Sequence, residues 1–86
     1  MYNIALTVFI ASLSFLAGEV TCPAGFGLRH GTISPPECTD QNARIPYDAP
    51  CNFHCNSGFL QYGPFVKRCT ADGTWSDDRV VYCEGM

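Results

Sequence analysis

The sequence predicts a small all-β, disulfide-rich fold: one compact antiparallel module with little or no helix. Three observations carry that expectation. Six cysteines stand in a chain of 86 residues, a length at which folding buries only about 60% of the unfolded chain's surface and cross-links commonly replace a missing core. Turn formers recur at Pro23-Ala24-Gly25, Ser34-Pro35-Pro36, Asp48-Ala49-Pro50, Asn56-Ser57-Gly58, Tyr62-Gly63-Pro64 and Ala71-Asp72-Gly73, so only short runs remain between them. Beyond Gly18, no stretch of about ten residues spaces its apolar positions three to four apart, the period an amphipathic helix needs.

Taken in order, the chain opens with an apolar run from Ile4 to Leu16 that carries no charged side chain and ends at the small pair Ala17-Gly18. This is the shape of a secretory signal peptide, although Met1-Tyr2-Asn3 offers no Lys or Arg and only the α-amino group supplies positive charge. Cleavage after Gly18 is expected, placing residues 1–18 in the leader and 19–86 in a single domain with its core at 22–83. A membrane anchor would need roughly 20 apolar residues, and Gly18-Glu19 ends the run sooner. Past that point there is no second apolar segment, lipidation signal or Asn-x-Ser/Thr acceptor. The mature product is therefore expected to be secreted, extracellular and monomeric, without membrane insertion.

Within the mature region, Cys51-Asn52-Phe53-His54-Cys55 alternates as a strand, with Cys51, Phe53 and Cys55 on one face and Asn52 and His54 on the other. Phe65 to Cys69, the turn Ala71-Asp72-Gly73 and then Thr74-Trp75 read as a hairpin, because Asp-Gly supplies the positive-φ residues of a tight turn. Trp75 is expected at the hydrophobic centre, with Phe53, Phe59, Val66, Ile45 and Val81 around it. The segment Gly31 to Pro50 departs furthest from strand pattern and is expected to be a long loop.

Charge and side-chain inventory exclude several function classes. The formal net charge is −3, and the basic residues Arg29, Arg44, Lys67, Arg68 and Arg79 form no stripe that would neutralise phosphates, so a nucleic-acid partner is not expected. Cys51, His54 and Cys55 have the donor chemistry of a zinc site. An oxidising compartment consumes the thiols instead, and His54 alternates away from the sulfur face; no metal or other cofactor is expected. Ser34, Ser57, His30 and scattered acids lack a spacing that would join a nucleophile to a base beside a cleft, so no enzyme activity is expected. Cleavage at Lys67-Arg68 would fall inside a disulfide-bonded hairpin, and the pair is read as strand residues facing solvent.

Phe53-x-Cys55-x-x-Gly58-Phe59, then Gly63, then Cys69-x-x-x-Gly73-x-Trp75-Ser76, then Cys83 resembles the signature of the sushi, or complement control protein, module. The resemblance runs from Cys22 to Cys83. The additional Cys38 and Cys51, with Cys51-x-Phe53-x-Cys55, are similar to the six-cysteine variant of selectin sushi modules. Spacing alone leaves 15 pairings of six cysteines open; the resemblance implies Cys22 with Cys69, Cys55 with Cys83 and Cys38 with Cys51. Two positions depart from the family pattern: Val81 stands where a proline is common, and Gln61 where an aliphatic is common.

The resemblance implies a rigid platform that binds another protein from its loops and strand edges. The Gly31–Pro50 segment, fastened by the implied Cys38–Cys51 bridge, is the expected recognition surface, with Arg44, Tyr47 and Asp48 as contacts, because ordering a loop in advance lowers the entropy cost of binding. A second class also fits the size, leader and cysteine density: a secreted toxin or defence effector acting on a receptor or channel. The acidic balance argues against direct membrane attack.

Overall fold

The computed structural model describes residues 20–86; the expected leader, residues 1–18, lies outside the described residues. Seven short strands follow in order: β1 (Thr21–Pro23), β2 (Gly31–Ser34), β3 (Arg44–Pro46), β4 (Pro50–Cys55), β5 (Phe59–Tyr62), β6 (Val66–Arg68) and β7 (Tyr82–Gly85). They pair antiparallel into three small sheets, β1–β3, β2–β4–β6 and β5–β7. Besides the strands, the described residues hold one 3-10 turn at Pro36–Thr39. Its first residue is proline, whose missing N–H and fixed φ suit that position.

The Gly31–Pro50 segment is thus not the loop expected of it. Its first residues form β2, which pairs along β4 with Ile33 opposite Phe53 and Gly31 opposite Cys55. Its last form β3, paired with β1 so that Ile45 lies opposite Cys22. Runs of three and four residues are too short for a period to register locally, and partners far along the chain stabilise them. The Asp-Gly hairpin, by contrast, shrinks. Gly73, at φ 80°, turns the chain, and only the Cys69–Trp75 bridge continues the pairing beyond β6.

β4 shows why the core sits where it does. Cys51, Phe53 and Cys55 are buried and Asn52 and His54 exposed, the alternation of a half-buried strand. Disulfides join Cys22 to Cys69, Cys38 to Cys51 and Cys55 to Cys83. The Cys38–Cys51 bond draws the 3-10 turn onto β4, and both sulfurs lie in the same cluster as Ile45 and Phe53.

Three core expectations are corrected. Val66 is exposed and Lys67 is buried: on β6, Val66 lies opposite Asn52 and Lys67 opposite Cys51, so strand parity gives the inner face to the lysine. Trp75 is half-buried at the rim of the cluster rather than at its centre, with its Nε1 donating to the Pro23 carbonyl at 3.0 Å. Phe59 lies outside that cluster and belongs to the β5–β7 sheet, where its ring stacks on His30 at 4.4 Å. The ring linking Phe53 to Trp75 is Phe26, edge-on to both at centroid distances of 5.3 and 5.1 Å. Its sequence signal is the alternation of Ala24, Phe26 and Leu28 with Gly25, Gly27 and Arg29.

Gln61 has a structural role where the family pattern favours an aliphatic. Its Oε1 accepts from the Cys55 amide at 3.3 Å, and its Nε2 donates to the carbonyls of Phe53 at 3.2 Å and Pro64 at 3.4 Å. One half-buried amide therefore ties β4 to β5, replacing ladder bonds that the two strands do not share.

Candidate functional site

Arg44, Tyr47 and Asp48 lie on β3 and the turn that leaves it, and all three are exposed. That turn is held from both sides by main-chain bonds. Tyr47 N–H donates to the Val20 carbonyl at 3.0 Å, Asp48 N–H to Cys69 at 2.8 Å and Ala49 N–H to Pro46 at 3.1 Å, while the Cys69 amide donates to Ala49 at 3.2 Å. Asp48 adopts φ 70°, a left-handed conformation that aspartate tolerates better than most residues. Cys69 is itself tied to Cys22, so the turn rests on the covalent frame. The Cys38–Cys51 bridge, expected to fasten this surface, instead holds the 3-10 turn against β4.

The three side chains are fixed differently. The Arg44 guanidinium folds back on β1, donating from Nε to Thr21 Oγ1 at 3.0 Å and from a terminal nitrogen to the Thr21 carbonyl at 3.1 Å. Arg68, absent from the sequence reading of this surface, reaches across from β6 to donate to the Asp48 carbonyl at 2.8 Å, with its guanidinium 3.9 Å from the Asp48 carboxylate. Tyr47 remains 56% exposed, a large amphipathic side chain on a backbone that is already ordered. The surface therefore presents one exposed tyrosine together with two positioned arginines and an acid, a composition suited to protein contacts.

A second exposed surface escaped the sequence reading. On the β5–β7 sheet Tyr62 lies opposite Tyr82, and their rings stack at 4.9 Å and 7°. Leu60, on the same face of β5, is also exposed. The alternation of Phe59 and Gln61 with Leu60 and Tyr62 was available in the sequence, but which set faced inward depended on the partner strand. Among the described residues, no three His, Cys, Asp or Glu side chains are grouped to hold a metal, and His54 and His30 lie apart from any free thiol because all six cysteines are bonded.

The profile of the Sushi repeat (SCR repeat) family matches residues 22–83, from the first framework cysteine to the last. This chain belongs to the sushi repeat family. Its similarity to individual sushi-containing proteins centres on selectins. E-selectin of Equus caballus is 34% identical over 68 residues, which is 78% of this chain and 10% of that protein. E-selectin of Canis lupus familiaris is 41% identical over 66 residues, 76% of this chain and 10% of that protein. P-selectin of Rattus norvegicus is 38% identical over 57 residues, 66% of this chain and 7% of that protein. The chain thus spans about a tenth or less of the length of these relatives, one sushi module's worth. No helix among the described residues is long and apolar enough to cross a membrane.

Proposed function

We propose that this chain is a secreted, monomeric, single-module binding factor that recognises an extracellular or cell-surface protein, without catalysis, through Arg44, Tyr47 and Asp48, joined by Arg68. The observation that carries the reading is the exposed Tyr47 on a turn clamped by main-chain bonds to Val20 and Cys69. Such a side chain adds contact area to a complex while little backbone entropy remains to be lost, and tyrosine and arginine are the usual anchors of protein interfaces. Sushi membership and the selectin relatives support an extracellular setting.

The test is saturable binding of the oxidised protein to intact cells or to a panel of extracellular domains, compared with alanine variants of Arg44, Tyr47 and Asp48. Loss of about tenfold or more in affinity on Tyr47→Ala is the expected result. Binding that survives this change but is lost in a Tyr62→Ala, Tyr82→Ala double variant would transfer the role to the stacked tyrosines. The other class, a toxin or defence effector acting on a receptor or channel, is separated by where the transcript is made: restriction to a venom or defence gland favours it, and broad expression favours the binding factor.

A further inference from the structure

Lys67 is the one buried charged side chain among the described residues, 6% exposed. Its stem faces the core from β6, and its Nζ lies 5.2 Å from the centre of the Phe26 ring and 5.8 Å from that of Phe53. Two aromatic faces offset part of the cost of taking an ammonium out of water, but they supply no anion. The ion pairs among the described residues join Arg68 to Asp48 and Arg79 to Asp77, and Lys67 enters neither. Its Nζ also makes no hydrogen bond to them. Since no fully enclosed side-chain nitrogen or oxygen lacks a partner, the ammonium's donors open to the surface.

They open at the meeting point of two depressions. A shallow groove has Lys67 on its floor and Pro23, Thr74, Trp75 and Ser76 along its sides. A smaller cleft of about 220 Å³ continues from Lys67 past Phe26, Phe53 and Val81, with Asp78 and Arg79 also on its lining. Asp77 and Asp78 also line the groove. The Asp77 carboxylate is hydrogen-bonded by Arg79, whose terminal nitrogen lies 2.7 Å from Oδ2, and Lys67 reaches it only through its field, as the last of the causes that lower its pKa; Asp78 is exposed and screened by solvent.

We propose that this groove is a second recognition site, distinct from the Arg44–Asp48 surface, that accepts a carboxylate side chain of a partner protein at Lys67 Nζ. A glutamate or aspartate supplies the direct, hydrogen-bonded ion pair that Asp77, held by Arg79, does not make with the buried ammonium, in surroundings where a charge-assisted hydrogen bond is stronger than in water. Its methylene stem lies along Trp75 and Pro23, with the Thr74 and Ser76 hydroxyls at the rim. A phosphate dianion suits the site less, because Lys67 is the only cation lining this groove and one ammonium matches one carboxylate rather than two charges.

The test is an NMR titration of the oxidised protein with acetyl-Gly-Glu-Gly-amide, using acetyl-Gly-Gln-Gly-amide as the uncharged control. It reads the Lys67 ε-methylene and the indole N–H of Trp75, the single tryptophan of the chain. A saturable shift at both positions with the glutamyl peptide, about tenfold weaker or absent with the glutaminyl peptide, is expected. Lys67→Met, which keeps the apolar stem over the rings, should abolish it. Equal shifts with the two peptides, no saturable shift, or full retention in a folded Lys67→Met protein would overturn the proposal. The wild-type comparison decides the matter if that variant does not fold, and it does not depend on the Tyr47 reading.

Discussion

Asp77 and Arg79 form a clamp two residues long. The carboxylate accepts from the Arg79 backbone N–H and Nε at 3.0 Å each, and from a terminal nitrogen at 2.7 Å. The side-chain hydrogen bonds from Arg79, then its backbone one, and after them the charges of Arg79 and Lys67, lower the Asp77 carboxyl from 3.8 to about 2, and the contact with Asp77 raises the Arg79 guanidinium. Because the folded-state value is the depressed one, whatever this clamp adds to stability is present above the unfolded value near 3.8 and is lost as pH falls toward 2. Arg79 is exposed and Asp77 half-buried, and the contact joins residues only two apart, so its energetic weight is small and its titration is the better reporter. Arg79→Ala should move the Asp77 midpoint up toward the ordinary carboxylate range, followed by carboxyl carbon shifts against pH. A midpoint that stayed near 2 would assign the depression to another group.

The elements depend on glycine in two distinguishable ways. Gly58 and Gly63 flank β5 with φ of 90° and 91°. A Cβ at Gly58 would meet nothing within 4 Å, whereas one at Gly63 would strike the Val80 backbone carbonyl, which cannot swing aside. Gly58→Ala therefore bears only the left-handed strain, about 1 kcal/mol, and Gly63→Ala adds a backbone displacement for about 2–3 kcal/mol in all. Urea midpoints of the two variants should fall in that order. Equal losses would mean that the turn at Gly63 relaxes freely and that the contact with the Val80–Val81 segment leading into β7 is not a constraint. Gln61 strengthens the expectation of rigidity there, since its amide already fastens β5 to β4 and to the Pro64 carbonyl.

At the scale of the molecule, sulfur replaces much of the apolar core. Of the buried apolar side chains among the described residues, only Ile45 and Phe53 are not cysteine; the others are Cys22, Cys38, Cys51, Cys55 and Cys69. Chain-entropy arithmetic assigns roughly 3–4 kcal/mol to each bridge before allowing for overlapping loops, so three are comparable with the whole stability of a small domain. The Cys38–Cys51 bridge spans a sequence separation of 13 and is the one added to the four-cysteine sushi frame. Replacing both of its cysteines with alanine should cost about 3 kcal/mol in urea unfolding and release the 3-10 turn, while the sheets held by the other two bridges persist. Circular dichroism that collapsed altogether would show that the frame cannot stand without it.

The sequence by itself determined the all-β class and the sushi family, because turn residues, cysteine positions and the Gly-x-Trp-Ser run are local and each carries its own conformational or covalent meaning. It also determined which face of β4 is buried, since five residues with cysteine at both ends alternate within one strand. Cysteine spacing alone could not choose among pairings; that expectation came with the family resemblance. Only the tertiary structure decided that Lys67 and not Val66 turns inward, that Phe26 joins Phe53 to Trp75, that Gly31–Pro50 contains two strands, and that Arg68 joins Asp48 at the surface. Each of these depends on which strand lies alongside and in what register, a relation between residues distant in the chain. A one-residue change of register reverses which side chains face inward without altering the local sequence.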